Sequence, residues 1–284
     1  MSEQNARLWS ATSEEYHAAH DVYGRSMLDT FRDSPMLFHG RFVTGEIAQR
    51  PRTPALIFGS NFDRFLLDCE SVVEIPASAL NGAGHKKGKQ WTNWRDEHAG
   101  QLILKTAEYD IFQRMADNIR SHKDASQLIQ GVPQKSIRWE DEQTGLALKV
   151  RPDVMGERRL VDLKTSADPT PRAFAESIED FGYHRQAAMY SHAVELLTGR
   201  SQSWFFVVIR SATPWDVYTY TLGKDKRGEP WIDRGMREIR KAIDNLATAI
   251  KTDHWLPAGY GETLSLSPPR YTEYDDEYAI DANA

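Results

Sequence analysis

The stretch SWFFVVIRSA at residues 203–212 restricts the fold more than any other part of the chain. Its apolar residues run unbroken from Trp204 to Ile209, with none of the alternation of a half-exposed strand. That pattern belongs to a strand buried on both faces, and such a strand needs cover on each side. WDVYTYTL at 215–222 alternates instead and reads as its edge partner. Helices must supply the cover. Between Trp91 and about Leu128, Ile103, Leu104, Ala107, Ile111, Phe112, Met115 and Ile119 recur at three- and four-residue steps. Helices are also expected at Pro171–Asp180, at Tyr183–Leu197 with Gly199 as the stop, and at Trp231–Lys251. GSNFDRFLLDC, from Gly59 to Cys69, sets Phe62, Phe65, Leu66 and Cys69 on one helical face.

Between the two helical regions the period changes to that of strands. Lys135–Trp139, Leu146–Val154 and Arg159–Thr165 read as three strands, turned by DEQTG and MGER. SVVEIP is a further short strand, and residues 77–90 read as an exposed loop. The order is helix, three-stranded meander, helices, two strands, helix. This predicts a mixed central sheet flanked by helices, of α/β or α+β class. No boundary is expected inside it, so residues 1–270 form one domain and 271–284 an acidic tail.

Charge and cysteine usage exclude several classes. The net charge of the 284 residues is −6, and TEYDDEYAIDANA at the end carries five acids without a lysine or arginine. The body is therefore near neutral, and any nucleic acid must bind at local basic patches. With one cysteine, Cys69, an intrachain disulfide or a four-cysteine metal site cannot form. No apolar run reaches the roughly 18 residues of a membrane span, and the first residues lack a signal-peptide pattern. A reducing, cytoplasmic setting without membrane contact is expected.

The chemistry concentrates in RPDVMGERRLVDLKTS. A strand pair turned by MGER brings Asp153 and Asp162 together, and alternation sets Asp162 and Lys164 on one face with Leu163 on the other. Charges in so apolar a setting are costly unless paired or bound to metal. A buried structural salt bridge accounts for Asp162 and Lys164 alone. Two hard carboxylates beside a lysine also suit Mg²⁺, with Mn²⁺ as a substitute. There the metal would grip a phosphate oxygen and activate water, and the lysine would orient that water and neutralise charge.

This segment resembles the PD-(D/E)XK nuclease motif. The wider text resembles the RecE-like exonucleases of the exodeoxyribonuclease VIII family, phage-type proteins. The resemblance rests on SMLDTFRDSPMLFH, FGSNFDRFLLD, SIRWEDEQTGLALKVRPD, VDLKTSADPTPRAF, GYHRQAAMYSHA and the TDHWLPAGYGETLSLSPP region, in that order. It implies a restriction-endonuclease-like core, with Asp153, Asp162 and the backbone carbonyl of Leu163 as metal ligands and Lys164 as the catalytic lysine. It also implies that Gln186 and Tyr190, one helical turn apart, act at the site. Two positions depart from the family. Asp63 stands where a histidine is usual, which makes it a candidate third metal ligand. Gln134 stands in place of a glutamate.

Lys86, Lys87, Lys89 and Arg95, interleaved with Trp91, form a candidate DNA-binding loop, since cations meet phosphates and aromatics stack on bases. A solvated loop is the plainer reading. Lys149 and Arg151 share a face with Asp153 and are candidates for contacts to the scissile strand, or for balancing its carboxylates. His17 and His20 read as surface residues. The resemblance implies a Mg²⁺-dependent exonuclease on double-stranded DNA ends, acting 5′→3′ and leaving 3′ single strands for a RecT-like annealing protein. It implies a homo-oligomeric ring of three or four subunits. An endonuclease of structure-specific or restriction type on the same core, or a DNA- or partner-binding module without activity, are the alternatives.

Overall fold

The computed structural model describes residues 6–68, 71–224 and 228–265. Cys69 and the acidic tail lie outside them. A mixed five-stranded sheet forms the centre. Its strands are β4 (Val132–Pro133), β7 (Val154–Met155), β8 (Arg159–Ser166), β9 (Ser203–Arg210) and β10 (Val217–Thr221). They lie in the order β10-β9-β8-β7-β4. β8 and β9 are parallel over their whole length, from Arg159 opposite Ser203 to Ser166 opposite Arg210, and the remaining pairs are antiparallel. The crossover between them is α8 (Pro171–Asp180) followed by α9 (Tyr183–Thr198).

β9 is the expected doubly buried strand. Trp204, Phe206 and Val208 enter one core with α9, α10 (Trp231–Thr252) and α2 (Arg25–Asp33), while Val207 and Ile209 enter a second core on the other face. The short α3 (Pro35–Phe38) follows α2 and adds Phe38 to the first core. The second core is built by α4 (Pro54–Leu67), α6 (Thr106–Ser121) and α7 (Lys123–Leu128). α4 starts at a clean boundary. The Thr53 side chain accepts from the Leu56 N–H at 3.2 Å, and Pro54 occupies the first helical position, where no N–H is needed.

The meander differs from expectation. The strand predicted over Leu146–Val154 is two strands in two sheets. β6 (Ala147–Val150) joins β5 (Ser136–Glu140) and β1 (Ala6–Trp9), whereas β7 joins the central sheet. Pro152 lies at the break and has no N–H to donate to a ladder. The long helical stretch predicted from Trp91 also divides. α5 (Lys89–Glu97) precedes β3 (Leu102–Leu104), which pairs in parallel with β2 (Val72–Glu74), and only then does α6 begin. Ile103 and Leu104 are thus strand residues. Among the described residues no helix is long and apolar enough to cross a membrane.

Candidate active site

Three elements converge at the C-terminal end of β8. On that strand Leu160 enters the α9 core and Val161 and Leu163 the α4 core, so alternation points Asp162 and Lys164 towards α9. Asp162 is 1% exposed, far too deep for an unpaired carboxylate. Its Oδ1 accepts from Gln186 Nε2 at 2.5 Å, and its Oδ2 is ion-paired with the Lys164 ammonium. Lys164 also lies over the ring of Tyr183, Nζ 4.8 Å from the centroid, and donates to the Leu163 carbonyl at 3.3 Å. Burial opposes charge on Lys164, but Asp162 and Asp153 outweigh it and raise the pKa above the usual lysine value.

Asp153 reaches the site through the break before β7. Its Oδ2 accepts from the Leu163 N–H at 2.8 Å. Extending the β7–β8 register, in which Val154 faces Val161, sets Pro152 opposite Leu163. A residue there would normally donate to the Leu163 carbonyl and accept from its N–H. Proline cannot donate, so the carbonyl lacks a ladder partner, and the side chain of the next residue takes the N–H. The Pro-Asp pair therefore leaves beside a carboxylate a backbone oxygen that is met by the Lys164 ammonium instead of a strand.

Asp63 arrives from the other face on α4. Burial, then the charge of Asp153, push its pKa well up, with Asp162 adding to the effect and Lys164 opposing it. Burial and Asp162 push Asp153 up to about 7, against the pull of Lys164 and the Leu163 N–H. α4 can lie this close because residue 59 is glycine. A Cβ there would sit 2.9 Å from Thr165 Oγ1 on β8. Asp63, Asp153, Asp162 and the Leu163 carbonyl make an all-oxygen donor set of the kind a hard divalent cation takes. The set is not pre-drawn to ligand spacing: among the described residues, no three His, Cys, Asp or Glu side chains already stand as a metal cage. The positive charge within the cluster comes from Lys164.

Tyr190 shares the α9 face with Gln186. Burial chiefly raises its pKa to about 12, with Arg25, Asp162, Asp153 and Lys164 all near enough to act on it. Tyr16 lines the same cavity as Tyr190, and burial, with Tyr190 adding to it, raises the Tyr16 pKa well above the usual tyrosine value. Arg25 was not singled out by sequence. It donates to Gln186 Oε1 at 3.4 Å and to the Phe181 carbonyl at 3.1 Å, and is held by Asp29 at 2.5 Å. Asp29 also accepts from Arg185 Nε at 2.7 Å, and Arg185 reaches Glu238 at 3.1 Å. The only local signal for this network is the Arg25–Asp29 spacing of one helical turn. Tyr183, likewise missed, is identifiable only through its place over Lys164.

A cavity of about 350 Å³ adjoins Gln186 and Tyr190, lined also by Tyr16, His20, Arg25 and Lys149. The contacts expected from Lys149 and Arg151 to a scissile strand are not what the structure places there. Lys149 is buried under α1 (Ser13–Ala18), its Nζ donating to the carbonyls of Tyr16 at 2.5 Å and Ala19 at 2.6 Å. Burial lowers its pKa to about 8. Arg151 donates to the carbonyls of Gln134 at 3.0 Å and Ala11 at 2.8 Å. Both cations clamp the N-terminal segment to β6 and its exit, because the carbonyls there have no strand partners.

Lys86, Lys87 and Lys89 are exposed, and α5 buries none of its residues. Trp91 stacks on Trp94 at 5.7 Å, and Lys86 Nζ lies 5.2 Å from the Trp91 ring. Arg95 is paired with Asp96 at 2.7 Å. This group sits on the 3₁₀ turn Ala77–Ala79, away from the carboxylate cluster's own contacts.

Comparison with known proteins bears on the fold and the family. A putative exonuclease of Eubacterium rectale superposes with a TM-score of 0.60 over 94% of this chain and 98% of its own, at 14% identity. An alkaline exonuclease of Laribacter hongkongensis covers 68% of this chain and 97% of its own at 16% identity, with a TM-score of 0.26. No sequence among the curated proteins matches significantly. A family of PDDEXK-like domains of unknown function, DUF3799, matches residues 25–263, which contain the whole carboxylate–lysine cluster. The chain belongs to that family, and its domain is of the PD-(D/E)XK nuclease type.

Proposed function

We propose that this chain is a Mg²⁺-dependent exonuclease, RecE-like in character, that hydrolyses phosphodiesters from the ends of double-stranded DNA. The observation that carries the reading is the meeting of Asp153, Asp162 and Lys164 at Leu163, whose carbonyl has no ladder partner, with Asp63 on α4 near enough to feel their charge. A salt bridge alone needs neither the second and third carboxylates nor a carbonyl released from the ladder.

Asp63, Asp153, Asp162 and the Leu163 carbonyl would hold the ion. When bound, it polarises the scissile phosphate and supplies an activated water, with Mn²⁺ able to replace Mg²⁺. Gln186 fixes the orientation of Asp162. Lys164 neutralises charge on the phosphate, and Tyr183 keeps its ammonium at the site. The cavity beside Gln186, with the guanidinium of Arg25 and the ammonium of Lys149 in its wall, is suited to a further phosphate. A 5′→3′ direction, a ring of three or four subunits and supply of 3′ single strands to an annealing protein belong to the same reading.

Linear and covalently closed duplex, each with Mg²⁺ and with EDTA, test it. Degradation of the linear form alone, abolished by EDTA, is the expected result. Cutting of closed circles replaces the reading with an endonuclease. Binding without any cleavage reduces the chain to a DNA-binding module.

A further inference from the structure

Phe181 is a large apolar side chain left open one aromatic ring away from Lys164. It is 58% exposed, at the C-terminal cap of α8, and the chain then turns through Gly182 at φ 63° into α9. Lone exposed aromatics are ordinary on protein surfaces. This one differs in how it is held and in what lies beneath it. Its carbonyl accepts from Arg25 Nη1 at 3.1 Å, the same guanidinium that touches Gln186. Its ring packs on Tyr183 with centroids 5.6 Å apart and planes tilted by 34°. Tyr183 in turn lies 4.8 Å from Lys164 Nζ, and is backed by Phe174 and Phe206 at 6.0 Å. Phe181 is thus the solvent-facing step of an aromatic stair that leads to the lysine.

We infer that Phe181 is a base-stacking platform, seating a nucleobase of the DNA substrate close to the scissile phosphate. The inference rests on the nuclease reading above and adds to it a subsite for a base. The two short steps from the ring to Nζ correspond to a reach of one to three nucleotides at about 3.4 Å per stacked base. Two cations stand along the stair, Arg25 on the Phe181 carbonyl and Lys164 over the Tyr183 ring. A phenyl face takes any base, so the platform holds an end in register without reading sequence. A simpler role exists: the ring could serve only to cover the end of α8. That role predicts a fall in melting temperature on truncation and no change in substrate handling.

Kinetics of wild type, Phe181→Ala, Phe181→Leu and Phe181→Trp on a linear duplex separate the two. The duplex is used intact and with a single abasic site walked through the terminal nucleotides of each strand. Removing a stacking aromatic typically weakens affinity by about 5- to 100-fold. Phe181→Ala is therefore expected to raise KM by that factor with kcat within about twofold, Phe181→Trp to keep the wild-type KM, and Phe181→Leu to resemble Phe181→Ala. At one abasic position the wild type and Phe181→Ala should converge, because the partner of the ring is gone. An unchanged KM for Phe181→Ala overturns the inference. So does a wild-type KM for Phe181→Leu, or a deficit that persists at every abasic position. A wild-type protein that cleaves no duplex with Mg²⁺ or Mn²⁺ overturns the nuclease reading itself, and the platform with it.

Discussion

Asp153 accepts a backbone N–H and at the same time crowds a second carboxylate, and pH separates the two effects. Its pKa is pushed from an ordinary 3.8 to about 7 by burial and by Asp162. A carboxyl with a higher pKa folded than unfolded carries no penalty below the ordinary value. The penalty grows as pH rises above that value and is complete once pH passes about 7. In EDTA, Asp153→Asn should therefore melt higher than wild type at pH 8 and lose that advantage by pH 4. Its amide oxygen can still accept from Leu163. With Mg²⁺ the order should reverse, because an ion bound only by the native wild type stabilises it by mass action. A melting difference that ignores both pH and Mg²⁺ would show that the carboxylates do not act as a cluster. Lys164→Ala and Asp162→Asn should reduce cleavage of labelled duplex by about 100-fold or more, the scale of losing a preorganised charge, and Lys164→Ala should also melt lower because it strips the buried Asp162 of its counter-ion. Asp63→Asn should raise the Mg²⁺ needed for half-maximal cleavage, and Asp63→His should remain partly active. Superimposable Mg²⁺ titrations of the three proteins would remove Asp63 from the metal site.

α4 owes its approach to β8 to a missing Cβ, and this gives a test at the level of elements. Gly59→Ala places a methyl 2.9 Å from Thr165 Oγ1, where the β-branched side chain has little freedom to turn. Overpacking of this kind costs about 1–3 kcal/mol or displaces the helix. Gly59→Ala should lower the melting temperature and raise the Mg²⁺ requirement together, since Asp63 rides on the same helix. Adding Thr165→Ala should restore both, and failure of that rescue would place the defect elsewhere. Much of this arrangement was legible in the sequence. The family resemblance marks Asp162 and Lys164, which strand alternation sets on one face, and Gln186 and Tyr190, which helical spacing sets on one face. Apart from the strand break at Pro152, the misreadings share one cause, pairing over long sequence distance. Four residues at Ala6–Trp9 carry no strand signal of their own, and become β1 by pairing with β5 some 130 residues away. Ile103 and Leu104 fit a helical period until β2 recruits them. Lys149 shares a strand face with cations expected at DNA, yet the N-terminal segment covers it. Arg25 reaches Gln186 across 161 positions, a contact that no local pattern announces.

At the scale of the molecule, charge limits how DNA can be held. The net charge is −6, and the five acids of the terminal stretch account for all but one unit of it. The two strongest cations near the site in sequence, Lys149 and Arg151, are committed to carbonyls. Little remains to hold a duplex by an all-round basic surface, and the proposed ring would supply the grip by enclosure. Two measurements follow. Light scattering at micromolar protein should give a mass of three or four subunits, and a heparin trap added after loading should leave degradation of a bound linear duplex running. The exposed lysines of the α5 region make a smaller, separable contribution. Each cation that neutralises a phosphate steepens the fall of log affinity with log salt by about 0.9. Replacing Lys86, Lys87 and Lys89 with alanine should therefore flatten that slope by roughly 2–3 if they meet the backbone, and leave it unchanged if they are merely solvated. A monomer that remains active and trap-resistant would refute enclosure, and the grip would then have to come from the site and its aromatic neighbours alone.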